Sequence, residues 1–238
     1  MSADTRLGPS DERDFTRTLA GWSLIVAPLL LLLSNAIDPA VSDKAAERLT
    51  QIAHNPSRHI AAGYLSLIAA WALVPGLIGL WRLFRGPRVT LGQVGSGLML
   101  IGIITTIAFF GFGVYEYEAA QPGYDPAQMA QLAHNVEASR VAIPLLIVFL
   151  IGTVLGSLIV AWSLWRRRVA PPWSPAAIVA GSILNLLADS AMLSATAFAF
   201  TLVGFGWVGL RLLSMSGEEW ARRGRTPAPS EPAVRATA

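Results

Sequence analysis

No residue carries a charge between Ile60 and Trp81, between Leu91 and Tyr115, between Val141 and Trp165, or between Val169 and Ala188. This feature constrains the chain more than any other. A helix rises about 1.5 Å per residue, so about 20 uncharged, mostly apolar residues match the roughly 30 Å hydrocarbon core of a bilayer. A water-soluble domain scatters its charges and carries about 25% of them. Here 14% of the 238 residues are charged, and they gather at the ends of the apolar runs. The fold class expected is all-α: an integral membrane bundle of six transmembrane helices, near 17–37, 59–84, 91–115, 139–165, 174–190 and 193–213. Trp22–Leu33 has the length of a signal-peptide core. Asp4, Asp11, Glu12 and Asp14 precede it and no A-x-A site follows, so a permanent helix is expected.

Placement of the basic residues predicts orientation, because cytoplasmic loops are enriched in Arg and Lys. With the N-terminus inside, fourteen of the 18 basic residues fall on the inner side, and Lys44, Arg48, Arg58 and Arg140 fall outside. Six spans bring the C-terminus back to the cytoplasm. Six tryptophans, among them Trp81 and Trp165, cluster near the inner boundary, and Tyr64, Tyr115, Tyr117 and Tyr124 near the outer one. The net charge of +3 is therefore a topology signal and not a nucleic-acid footprint. The first partner expected is the lipid bilayer. Lys44 is the only lysine and there is no cysteine, which excludes disulfides, thiolate metal sites and cysteine nucleophiles. The predominance of Arg suggests a GC-rich bacterial genome.

Residues 51–55 read QIAHN and residues 131–135 read QLAHN. Each follows a short amphipathic segment, DKAAERLTQIAH in one case and DPAQMAQLAH in the other. Asp125, Pro126 and Gln128 form an expected N-cap, first-turn proline and capping-box partner. Each motif then leads into a long span that ends in Trp-Arg. The expected organisation is a cytoplasmic tail at 1–16 and a membrane domain at 17–213. That domain contains two parallel helix–outer amphipathic helix–helix repeats (17–84 and 91–165) and a C-terminal hairpin (174–213). A disordered cytoplasmic tail is expected at 214–238, from its Pro, Ala, Ser and Arg content. Parallel repeats relate by an axis along the membrane normal.

Candidate site residues gather at the outer face. His54 and His134 stand before Asn55 and Asn135, which suit helix N-caps, so one expectation is that both histidines sit at helix starts. The other is that His54, His59 and His134, with Glu116, Glu118 and Glu137 nearby, hold a divalent metal or haem. No HExxH or HxH spacing marks such a site. Arg58 and Arg140 are expected in the first turns of helices, where they either reach the interface or bind an anionic small molecule or lipid headgroup. Asp189, with Asn185 one turn earlier, lies where the short fifth span ends. It is either paired within the membrane or solvated in a turn. Gly152 and Gly156 are spaced for close helix packing. Packing within one bundle is the first expectation, and a homodimer seam the second.

The HNPSRH stretch after the first amphipathic segment and the PGLIGLWRLFRG end of the second span resemble those of uncharacterised bacterial, chiefly actinobacterial, multi-pass membrane proteins. The resemblance covers roughly residues 15–213 and implies a cell-membrane location with no assigned activity. A binding, sensing or structural membrane protein with an outer-face site is the function expected. A small-molecule or ion transporter and a haem- or metal-binding redox protein are the alternatives. An enzyme is not favoured, since no catalytic set is recognisable.

Overall fold

A computed structural model describes residues 9–40, 42, 44–85, 90–188 and 190–224, with side-chain surroundings from Asp14 to Trp220. The described residues are helical or in turns, without strands. In chain order the helices are α1 (Pro9–Ile37), α2 (Ala45–His54), α3 (Pro56–Leu83), α4 (Leu91–Ala119), α5 (Pro126–Glu137), α6 (Ala142–Leu150), α7 (Gly156–Arg166), α8 (Trp173–Leu186), α9 (Ala191–Ser214) and α10 (Gly217–Gly224). A π-helical turn, Ile151–Leu155, joins α6 to α7, so 142–166 is one continuous rod. Among the described residues, five segments are long and apolar enough to cross a membrane: Asp14–Ile37, Pro56–Leu83, Leu91–Ala119, Ala142–Arg166 and Ala191–Ser214. The expected span at 174–190 is α8, which has only 14 residues and reaches about 21 Å at 1.5 Å per residue.

Local chemistry sets the helix ends. The Asp125 carboxylate accepts a hydrogen bond from the Ala127 amide at 2.9 Å, and Pro126 opens α5. The Thr90 amide donates to Gln93 Oε1 at 3.0 Å at the start of α4, satisfying backbone that a helix end otherwise leaves unpaired. Pro75 interrupts the ladder inside α3. In the same turn the Ser23 hydroxyl of α1 donates to the Ala72 carbonyl.

Two seams hold the bundle. Around α1, α3 and α9 the core is built from Ala20, Leu24, Leu77, Leu80, Val208 and Leu212, all fully buried. The second seam joins α4 to the π turn and α7. A Cβ on Gly152 would lie 2.5 Å from the Gly102 amide nitrogen, so only glycine permits this backbone approach. A Cβ on Gly156 would lie 2.9 Å from the Met99 amide nitrogen and 3.0 Å from the Gly95 carbonyl oxygen. Gly152 and Gly156 are buried inside the chain, packed within one bundle.

The structure corrects several expectations. Residues 217–224, expected within a disordered tail, are helical, with Trp220 and Met215 buried in the main core; positions from 225 lie outside the described residues. The third span continues to Ala119. The fourth starts at Ala142 and not near 139.

Candidate functional site

One end of the bundle carries α2, α5 and the connections around them; the other carries most of the arginines. At the first end lies a cavity of about 600 Å³, lined from α2, α3, α4, α5, α6 and the segment that leads into α2. Its polar part comprises Asp38, Ser42, Arg48, His59, Tyr115, Glu116 and Glu137. Its apolar part includes Leu67, Phe109, Phe110, Phe112 and Leu146. The cavity is therefore amphipathic, with charge at one end and aromatic rings at the other.

Arg48 is the hub of the polar part. It lies four residues before Ile52, whose side chain is fully buried, so both project toward the bundle. The guanidinium donates to Glu116 Oε1 from Nε at 2.8 Å and from Nη2 at 2.7 Å. Nη2 also donates to Glu137, and Nη1 reaches the Ser42 carbonyl at 3.3 Å. Side-chain exposures are 14% for Arg48, 18% for Glu116 and 49% for Glu137. Burial works against the charged guanidinium, but the two carboxylates outweigh it and hold the Arg48 pKa above its ordinary value. This triad ties α2 to the end of α4 and the end of α5.

His59 is the second polar element. Its side chain is 9% exposed, with Nδ1 at 3.0 Å from Asp38 Oδ1 and Nε2 at 3.3 Å from the Gly113 carbonyl. Both ring nitrogens face acceptors. A carbonyl and a carboxylate both accept, so both contacts are hydrogen bonds when the ring is doubly protonated. In that form the His59–Asp38 pair carries no net charge.

Of the residues singled out in the sequence, the cavity brings together His59, Glu116 and Glu137. His54, Arg58, Glu118, His134, Arg140 and Asn185 are exposed and do not line it. Asp189 lies outside the described residues. His54 Nδ1 bonds the Thr50 carbonyl at 2.7 Å, one turn back in its own helix. Asn55 stands at the start of α3 without a side-chain capping bond. His134 and Asn135 lie within α5, so neither stands at a helix start, and Glu137 pairs with Arg48 across the cavity. Arg140 sits in the turn before α6, not in a first helical turn. Among the described residues no three His, Asp or Glu side chains converge as metal ligands would. Asp38 and Arg48 were not singled out. The signal for Arg48 was its place on the buried face of α2; for Asp38 it was an acid directly after an apolar run.

Residues 19–215 match the family model of a domain of unknown function, DUF4386. No curated protein and no solved structure matches the chain.

Proposed function

This chain belongs to the DUF4386 family, and we propose that it is a multi-pass protein of a bacterial cell membrane that binds a small amphipathic molecule from the outer face. The observation that carries this reading is the 600 Å³ cavity with its charged rim and phenylalanine floor. Binding sites are commonly concave and mostly apolar, with a few polar groups that fix orientation. The topology that goes with it is N-in and C-in, with the arginine-rich end cytoplasmic. In this topology α8 makes a sixth, short crossing with the help of flanking residues, and α1–α3 and α4–α7 are parallel repeats. A binding or sensing role is favoured over an enzyme. Transport is the second reading. The π turn at Ile151–Leu155 supports it, because such turns interrupt helices where function requires a local change, and this one lies along the rod that lines the cavity.

The binding reading is tested by photolabelling. The full chain in proteoliposomes is exposed to a neutral diazirine-bearing octanol, and the labelled peptides are mapped. A Cβ on Gly113 would lie 3.9 Å from His59 Nε2 with no nearer neighbour, so the first atom of a side chain is accommodated there and Gly113→Leu takes up cavity space. Saturable labelling of 109–116, lost in Gly113→Leu, is the expected result. Labelling spread over the lipid-facing helices and unchanged by Gly113→Leu would sink the reading.

A further inference from the structure

We infer that the ligand of this cavity is an organic monocation, an amine or quaternary ammonium with an apolar body; the inference rests on the binding reading above. Three observations converge on it.

The first is charge. The described lining residues include three carboxylates, Asp38, Glu116 and Glu137, and the cations available to them are Arg48 and the His59–Asp38 proton. With both ring nitrogens protonated the His59–Asp38 pair is neutral, and with only one protonated it is negative. Arg48 faces both Glu116 and Glu137, and one positive charge cannot balance two negative ones. Among the described lining residues one negative charge remains, shared between the buried Arg48–Glu116 pair and the half-exposed Glu137, where water relieves it only in part. Neither Arg58 nor Arg140 answers it, since both are exposed and neither lines the cavity.

The second is the wall opposite the charge. Phe109, Phe110 and Phe112 line the cavity, and Phe109 packs edge-on against Phe149 with centroids 5.5 Å apart. Aromatic faces carry negative potential and attract ammonium groups, most strongly where water is excluded. An anion would meet both the spare carboxylate and the ring faces unfavourably.

The third is Tyr115. Its hydroxyl is shielded from solvent and has no hydrogen-bond partner among the described residues, although the side chain lines the cavity. A buried hydroxyl without a partner is costly. Almost none of that oxygen is open to the cavity, so a headgroup reaches it only when the ring turns inward, where the phenol oxygen can accept from an ammonium N–H.

The size of the cavity suits a molecule of drug-like dimensions, since such pockets run from about 300 to 1,000 Å³. A bare inorganic cation would leave the phenylalanine floor empty.

The experiment uses the full chain in detergent and radiolabelled benzyltrimethylammonium as probe. Saturable binding is expected, displaced by tetraethylammonium and not by phenylmethanesulfonate. Glu137→Gln leaves Arg48 balanced by Glu116 alone, and it should weaken binding about ten-fold or more, a step that corresponds to one decade in Kd. Glu137→Asp keeps the charge and should keep binding, which separates charge from folding. Sodium displacing the probe at equimolar concentration would assign the site to an inorganic cation and overturn the inference. So would neopentylbenzene, the uncharged isostere, protecting against the diazirine label as well as the ammonium does. In that case the cavity still binds and only its preference for charge is refuted. Loss of the cavity reading itself would show separately, as labelling insensitive to Gly113→Leu.

Discussion

The two halves of this molecule carry nearly the same five residues and fold them differently. In the first half QIAHN ends α2: His54 closes the helix, Asn55 leaves it at φ −139° and ψ 57°, and α3 begins at Pro56. In the second half QLAHN stays inside α5, which runs on to Glu137 before the chain turns at 138–141. The difference follows from the next residue. A proline disfavours helical geometry in the residue before it and is at home in a first turn. Val136 imposes neither constraint. The functional consequence is larger than the local one. Five residues past His54 the break sets His59 into the cavity, whereas the equivalent position of the second half is Ser139, whose hydroxyl accepts from the Ala142 amide at 3.0 Å. The shared histidines are exposed, and the histidine that lines the site has no counterpart. One near-identical pentapeptide thus sits in two different settings.

The largest effect expected concerns the seams that hold each half together. In the first half a Cβ on Gly79 would meet the Ala20 Cβ at 2.3 Å, a side-chain atom; in the second, a Cβ on Gly152 would meet Gly102 backbone. Gly79→Ala should destabilise by about 1–3 kcal/mol through overpacking and be rescued by Ala20→Gly. Gly152→Ala has no side chain to remove, so α4 and the π turn must part. The expected outcome is loss of a monodisperse folded peak in size-exclusion chromatography, with Gly111→Ala, which meets nothing within 4 Å, as the unaffected control. A well-folded Gly152→Ala protein would show that the two seams are not as different as their geometry.

Arg48 is where the halves are fastened to each other, because it belongs to the first and both its carboxylates to the second. Arg48→Gln should cost about 3–5 kcal/mol in chemical unfolding of the detergent-purified chain, since it leaves Glu116 mostly buried without its partner. Adding Glu116→Gln should recover a large part of that loss, and the double-mutant cycle gives the coupling. Additive losses would mean that Arg48 contributes through packing alone.

Much of the architecture was legible because the charges are absent over whole spans, a signal that no other fold class produces at this length. Helix starts were legible where one residue type does the work, as at Asp125 and Pro126. The site was only partly so. His59 and Glu116 could be picked out as polar groups at the right end of the bundle. Their grouping could not, because Arg48 stands 68 residues from Glu116 and 89 from Glu137 in the chain. Repetition drew attention to His54 and His134, yet a repeated residue at a helix end is as well explained by its own backbone, and His54 bonds Thr50. Glu137 could be picked out only as a carboxylate near the histidines, and it completes an ion pair across the cavity. The dividing line is physical: backbone preference acts within a few residues, while charge pairing depends on how the helices pack.

The smallest effect expected tests whether proline or packing makes the first-half break. Pro56→Ala removes the constraint on Asn55 and frees the unfolded chain, which should cost about 0.4–1 kcal/mol. Packing argues that the bend persists. Leu49 and Ile52 are buried on one side of it, Arg48 is held by two carboxylates, and His59 is held by Asp38 and Gly113 on the other. Spin labels at Thr50 and Ala61, both exposed, report the geometry by electron–electron distance measurement. One straight helix would separate their backbones by about 16 Å along the axis. An unchanged distance in Pro56→Ala means that α2 is positioned by the cavity it helps to build. A shift to the straight-helix value means that the proline alone creates the asymmetry, and the second half could then be made to mimic the first by one substitution, Val136→Pro.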